Sequence, residues 1–188
     1  MPRLLLYDNL KNDFPVEIGT KAPDFTLENE NGEKWSLSDK LGEVVALLFY
    51  PQNETLVCTK QLCSVRDHWE DYLKTKATIV GISPGMSEEH KIFSQRHSLP
   101  LSLLADSNRE ITRLYSKHWL YPISFTRAIV VVDAKGFIRS RKIMLRAFRP
   151  ADKNVITSIY SARSDAMYEK FDEILSKSRA AKAAEKLL

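Results

Sequence analysis

The sequence predicts an α/β fold in which a central mixed β-sheet is flanked by helices. Three short, largely apolar segments, at 44–50, 77–83 and 127–133, are typical of strands that are buried on both faces. Stretches whose apolar residues recur at spacings of three and four lie between them and indicate helices. A turn over 134–137 returns the chain beside the third strand, so we expect antiparallel as well as parallel pairing. The 188 residues are enough for one domain.

The N-terminal region is predicted to form a β-hairpin ahead of the buried strands. Residues 1–17 are expected to be irregular, because Pro15 argues against a helix there. Apolar and polar residues then alternate over 22–37 around Asn31 and Gly32. An Asn-Gly pair between two alternating segments favours a tight turn, so this region predicts two short antiparallel strands.

One helix is predicted after the buried strand at 44–50, and a second after the buried strand at 77–83. The first runs from about 58 to 73, after Pro51 has ended the first buried strand. Its apolar residues at helical spacing are Leu62, Val65, Trp69, Tyr72 and Leu73. In the second helix we expect Ser87 to serve as the N-terminal cap and Ile92 and Phe93 to face the core.

The second half of the chain is predicted to continue the alternation and to end in a long helix. A strand over 101–105 and a helix near 109–115 precede the third buried strand, and a last strand ends near 145. The final helix is expected over 152–184. We therefore divide the chain into an N-terminal extension (1–17), one α/β domain (18–160) and a C-terminal helical extension (161–188).

Composition and charge exclude several classes of protein. The formal net charge of +4 is too small to predict binding to nucleic acid. The longest wholly apolar run covers seven residues, whereas a membrane-spanning helix needs about twenty. An acidic residue at position 8 comes too early for a secretory signal, so we expect a cytoplasmic protein with no membrane partner.

Cys58 and Cys63 are the only cysteines, and their position in the predicted fold is informative. They follow a buried strand and lie where a helix begins. The first backbone N–H groups of a helix have no partner within the helix, and its dipole is positive at this end. Both effects favour a thiolate over a thiol at Cys58, and the thiolate is the reactive form of cysteine.

The residues around Cys58 carry a recognisable motif. Pro51, Thr55 and Cys58 form the pattern Pro-x-x-x-Thr-x-x-Cys, which resembles the signature of the peroxiredoxins. Cys63, five residues later, is similar to the second cysteine of the bacterioferritin-comigratory protein or peroxiredoxin Q subgroup. The resemblance extends over about 18–159. It implies a thioredoxin-like fold with an N-terminal β-hairpin and a long C-terminal helix.

This resemblance implies a thiol-dependent peroxidase that reduces hydrogen peroxide and organic hydroperoxides. Cys58 would be the nucleophile that attacks a peroxide oxygen and becomes a sulfenic acid. Thr55 would bind the peroxide, Arg127 would place a permanent charge beside the thiolate, and Pro51 would shield the pocket. The resemblance implies no metal, haem, flavin or other cofactor.

Cys63 is implied as the thiol that resolves the sulfenic acid. Five residues apart on a helix, two Cα atoms are separated by about 8–9 Å, whereas a disulfide tolerates about 7 Å at most. The first turns of the helix must therefore unwind in every cycle. The resulting strained disulfide would be reduced by thioredoxin or a similar dithiol protein. Members of the family occur as monomers and homodimers, and the sequence does not select between them.

Other interpretations stay open at this point. The chain could be a thiol–disulfide oxidoreductase, or a peroxide sensor or adaptor whose basic C-terminal region binds a partner. Residues 141–188 contain 11 Lys and Arg against 6 Asp and Glu. Cys63 could be a core thiol, Thr55 a plain helix cap and Arg127 part of a surface ion pair. Three histidines are expected at the surface, namely His90, His97 and His118.

Overall fold

The computed structural model describes residues 16–118, 122–165 and 167, and within them it contains a seven-stranded sheet and five α-helices. The strands are β1 (Thr26–Asn29), β2 (Lys34–Ser36), β3 (Val45–Phe49), β4 (Thr78–Ser83), β5 (Ser102–Ala105), β6 (Thr126–Val132) and β7 (Ile138–Leu145). The helices are α1 (Leu56–Asp67), α2 (Trp69–Lys74), α3 (Ser87–His97), α4 (Glu110–Ser116) and α5 (152–165).

The strands pair in the order β2-β1-β5-β4-β3-β6-β7. The pairs β3 with β4 and β4 with β5 are parallel, and the other pairs are antiparallel. The predicted mixed α/β sheet is therefore confirmed, as are the N-terminal hairpin and the returning last strand. Because β3 lies inside the sheet between β4 and β6, the chain that leaves it starts from a strand paired on both sides.

Both faces of β3 are covered, which explains its unbroken apolar sequence. Every residue of this strand is buried. Successive side chains of a strand point to opposite faces. Accordingly Ala46 and Leu48 pack in a core with Cys58, while Leu47 and Phe49 pack in a second core on the other face. The strand therefore fixes the point at which α1 and its cysteine begin.

The helix predicted over 58–73 is instead two helices that meet at His68. The spacing of apolar residues continues across the break, so the periodicity contains no sign of it. The second helix buries Tyr72, whose hydroxyl donates a 2.8 Å hydrogen bond to Asp152 of α5. Leu73, which the helical spacing grouped with Tyr72, is 58% exposed.

The helix that was predicted to begin with Ser87 differs from the prediction in two details. Met86 is the cap residue, and its backbone N–H donates to the carboxylate of Glu89. Phe93 is buried as predicted, whereas Ile92 is 56% exposed. Phe93 lies toward the sheet, and one residue earlier on a helix turns the side chain by about 100°.

Two of the predicted segments lie partly or wholly outside the described residues. Of the extension 1–17, only 16 and 17 are described, and of the extension 161–188 only 161–165 and 167. The final helix is described up to 165. Within the described part of the chain, none of the helices has the length and apolar character needed to cross a membrane.

Candidate active site

The candidate site lies where β3 ends and α1 begins. Pro51 leaves the strand, and the loop that follows contains Glu54 in the left-handed region, with a φ of 56°. Thr55 has extended backbone angles and occupies the cap position of α1. Its hydroxyl lies 3.5 Å from the carbonyl oxygen of Gln52 and makes no capping hydrogen bond to the helix. The Thr55 hydroxyl therefore faces the loop instead of closing the helix end.

Cys58 is in the first turn of α1 and is almost completely buried, with 1% of its surface exposed. Its sulfur accepts a 3.2 Å hydrogen bond from Nη2 of Arg127, on the neighbouring strand β6. A guanidinium at this distance and the helix N-terminus both place positive charge at the sulfur. A thiolate at this position would have both groups as neighbours.

Arg127 is fully buried, so a surface ion pair does not describe it. Besides Cys58, its guanidinium donates to Oε1 of Gln61 and to the backbone oxygen of Arg146, the latter at 3.5 Å. Its Nε has no hydrogen-bond partner and is also buried. A buried cation is costly unless an opposite charge compensates it. A thiolate at Cys58, 3.2 Å from Nη2, would supply that charge.

Gln61 was not among the predicted site residues. It is 3% exposed, and it lies one turn beyond Cys58 on the same face of α1. Residues at positions i and i+3 of a helix are neighbours, so Cys58 and Gln61 reach the same guanidinium. That spacing is the signal that could have identified Gln61, since a polar side chain beside a buried cysteine must find a buried partner.

An open cavity of about 530 Å³ lies in front of Cys58. Its lining residues are Pro51, Gln52, Thr55, Leu56, Val57, Cys58, Arg109, Ser124, Arg146 and Ala147. The structure thus brings three of the predicted residues, Pro51, Thr55 and Cys58, to one cavity. Arg127 contacts the sulfur as well but does not line the cavity.

Cys63 is separate from this cavity, although it is on the same helix. Both cysteines are free thiols, and Cys63 is half-buried. Its sulfur lies 3.9 Å from Nδ1 of His97 on α3. The intact helix therefore presents the two thiols to different surroundings, as the five-residue spacing predicts.

A buried polar chain supports the loop that precedes α1. The Tyr50 hydroxyl donates to Oδ1 of Asn53, and Nδ2 of Asn53 lies 2.8 Å from Nδ1 of His90. The other ring nitrogen of His90 lies 3.2 Å from the carbonyl oxygen of Leu104. His90 was expected at the surface, but it is completely buried, and burial lowers the pKa of its ring. These hydrogen bonds join the loop to the sheet.

Comparison with known proteins supports one family. The family model described as AhpC/TSA family matches residues 18–141. Peroxiredoxin Bcp of Bacillus subtilis (strain 168) is 34% identical over 123 residues, which are 65% of this chain and 78% of that protein. Peroxiredoxin Q, chloroplastic, of Arabidopsis thaliana is 43% identical over 129 residues, 66% of this chain and 58% of that protein.

Solved structures confirm the thioredoxin-like fold. Peroxidoxin BcpB from Mycobacterium tuberculosis superposes with a TM-score of 0.67 at 23% identity, over 79% of this chain and 99% of that one. The reduced 2-Cys peroxiredoxin of Plasmodium vivax gives a TM-score of 0.71 at 20% identity, over 84% and 86%. At such identities the likeness concerns the fold alone. Together with the family match, these findings show that the chain belongs to the AhpC/TSA family and is a peroxiredoxin, a thiol-dependent peroxidase.

Proposed function

We propose that Cys58 is the nucleophile of this peroxidase and that Arg127, Thr55 and Pro51 assist it. The observation that carries the proposal is the 3.2 Å contact between Nη2 of Arg127 and the sulfur of Cys58, a residue that lines an open cavity. The contact supports a thiolate, and the cavity supports access by a small oxidant. The peroxide step needs both.

In the peroxide step, the Cys58 thiolate attacks one oxygen of the peroxide. A new S–O bond forms, the O–O bond breaks, and the second oxygen leaves with the electron pair and takes a proton to become water or an alcohol. Thr55 donates its hydroxyl hydrogen to the peroxide, and the free N–H groups of Val57 and Cys58 in the first helical turn support the developing charge. Arg127 stabilises the anionic sulfur from the protein side.

The Cys58 sulfenic acid is then resolved by Cys63, in our proposal. The two sulfurs form a disulfide after α1 has unwound, and the oxygen of the sulfenic acid leaves as water. A dithiol protein such as thioredoxin then reduces the disulfide. The three-part domain division, the cytoplasmic location and the choice between monomer and homodimer stay predictions.

Intact-mass measurement after one equivalent of hydrogen peroxide tests these roles. We expect the native chain to lose two hydrogen atoms, because an internal disulfide forms. Cys63→Ser should gain one oxygen atom and stop at the sulfenic acid, and Cys58→Ser should consume no peroxide. Peroxide turnover by Cys58→Ser would overturn the nucleophile assignment, and normal cycling of Cys63→Ser with thioredoxin would overturn the resolving role.

A further inference from the structure

A histidine and a carboxylate line up behind Cys63. Nδ1 of His97 lies 3.9 Å from the Cys63 sulfur, and Nε2 of the same ring lies 3.4 Å from Oε2 of Glu54. When Nε2 carries the proton and donates it to the carboxylate, the lone pair of Nδ1 faces the thiol. This order of thiol, imidazole and carboxylate is the arrangement by which a base activates a nucleophile.

The imidazole is held in place from several sides. Arg66 of α1 donates a 2.7 Å hydrogen bond to the backbone oxygen of His97, and the Phe93 ring packs edge-on at 4.9 Å between ring centroids. Arg96 donates a 2.6 Å hydrogen bond to Oε1 of Glu54, so the carboxylate is fixed as well. These contacts join α3 to α1 and to the active-site loop. His97 is therefore held by groups that do not take part in the reaction at Cys58.

We propose that His97 is the general base that removes the proton of Cys63 in the resolving step, and that Glu54 positions it. This inference rests on the proposed resolving role of Cys63. A sulfur–nitrogen distance of 3.9 Å is long for a hydrogen bond, but catalytic contacts commonly tighten only in the reacting complex. His97 belongs to α3, so it remains in place when the first turns of α1 unwind.

The resolving step balances with the groups present. The Cys63 sulfhydryl proton passes to Nδ1 of His97, and the thiolate electron pair forms the S–S bond to the Cys58 sulfur. The S–O bond of the sulfenic acid breaks, and its hydroxyl takes up a proton from the imidazolium through solvent and leaves as water. The sulfur of Cys63 is oxidised and that of Cys58 is reduced, so no other oxidant or reductant is needed.

The positive charge that develops on His97 during the proton transfer has a partner already in place. Glu54 carries the only negative charge in direct contact with the ring among these groups, and it balances the imidazolium once His97 has taken the proton.

The substitution His97→Gln tests the role of His97 as a base apart from its role in holding Glu54. Glutamine keeps a donor for Glu54 but has no basic nitrogen, and a free thiol is only a few per cent ionised at neutral pH. In a single-turnover experiment with hydrogen peroxide, we expect disulfide formation to slow by about 10- to 30-fold, because only that small ionised fraction of the thiol can then react. The rate should recover at alkaline pH, where Cys63 ionises without help. His68→Gln, which changes an exposed histidine at the other end of α1, is the control and should keep the native rate.

A second measurement makes the outcome independent of the peroxidase cycle. In a Cys58→Ser background Cys63 is the sole thiol, and its alkylation by iodoacetamide reports its ionisation. We expect His97→Gln to slow this alkylation by about 10-fold at neutral pH and to leave it unchanged at alkaline pH. Equal alkylation rates at neutral pH would overturn the role of His97, as would a resolving rate that alkaline pH does not restore. Failure of the resolving role itself would appear separately, as normal thioredoxin-dependent cycling by Cys63→Ser.

Discussion

Arg127 is the buried residue beside Cys58 whose charge most needs an account. Its guanidinium is removed from water, and its Nε lacks a hydrogen-bond partner. The amide of Gln61 and the backbone oxygen of Arg146 satisfy part of it, but neither carries a charge. In our proposal a thiolate at Cys58 compensates the charge of this buried cation, and the cation in turn stabilises the thiolate.

Replacing this cation tests that argument at the scale of one residue. Arg127→Gln should slow the reaction of Cys58 with hydrogen peroxide by about 100-fold or more, a loss typical of removing one aligned charge-stabilising donor. Stopped-flow measurement of the peroxide step gives the rate. The control is Arg163→Gln on α5, which removes a guanidinium that donates to the carbonyl of Thr75, far from the site in sequence. This variant should keep the native peroxide rate. A peroxide rate within a fewfold of native in Arg127→Gln would show that the contact does not stabilise the thiolate.

At the scale of elements, α1 carries the two thiols but cannot join them. Five residues of helix separate Cα atoms by about 8–9 Å, beyond the range of a disulfide. One end of the segment is tied to Arg127 through Cys58, and the other contacts His97 through Cys63. Formation of the disulfide must release at least one of these contacts together with the helical hydrogen bonds around it.

Hydrogen exchange on the reduced and oxidised forms checks this unwinding. Oxidation by one equivalent of peroxide should remove protection from the backbone amides over 58–63. The amides of β3 should keep theirs, because that strand is buried on both faces. The oxidised Cys63→Ser variant, which forms no internal disulfide, is the control and should keep α1 protected. Full protection of α1 in a chain whose mass shows the internal disulfide would contradict the geometric argument.

The sequence predicted the elements better than the contacts between them. Buried strands such as β3 were predictable because a segment covered on both faces must be apolar throughout. The break at His68 was not, because Val65, Trp69 and Tyr72 keep helical spacing across it. The hydrogen bond from Tyr72 to Asp152, a residue 80 positions away, is equally invisible to local periodicity.

The same distinction applies within the candidate site. Pro51, Thr55 and Cys58 lie in one short motif, so local sequence was enough to predict that they act together. Helical spacing could have placed Gln61 beside Cys58, but it does not identify the partner of Gln61, which is Arg127 of β6. His97 becomes relevant only through Cys63, which lies on another helix. No local pattern specifies which strand or helix faces α1, so these partners required the three-dimensional structure.

For the whole molecule, His90 links the active-site loop to global stability. Its buried ring connects Asn53 of the loop to the carbonyl of Leu104 on β5. A Cβ atom added at Gly85 would come within 2.8 Å of the ring, so the surroundings leave it little room. A neutral ring satisfies both of its hydrogen bonds, whereas protonation would turn Nδ1 into a second donor facing an amide donor of Asn53.

The free energy of unfolding should therefore decrease as the pH falls through the range in which His90 titrates. Burial lowers the pKa of His90 in the folded chain from its ordinary value of 6.5, and the hydrogen bonds to Ser83 and Leu104 and the charges of Glu89 and Glu30 only partly oppose this. Below about pH 6.5 the unfolded chain binds a proton that the folded chain does not, so stability is present above that pH and is lost below it. The slope from one such group is at most about 1.4 kcal/mol per pH unit.

Urea unfolding at several pH values isolates this contribution. His90→Gln should be less stable than the native chain at neutral pH by about 1–3 kcal/mol, since it removes the buried ring that joins Asn53 to the carbonyl of Leu104. The variant should also lose less stability between about pH 7 and pH 5, because its side chain does not titrate. If the native chain and His90→Gln show the same pH dependence, the folded protein accommodates a protonated His90. The hydrogen bonds of the buried ring would then not depend on its neutral form.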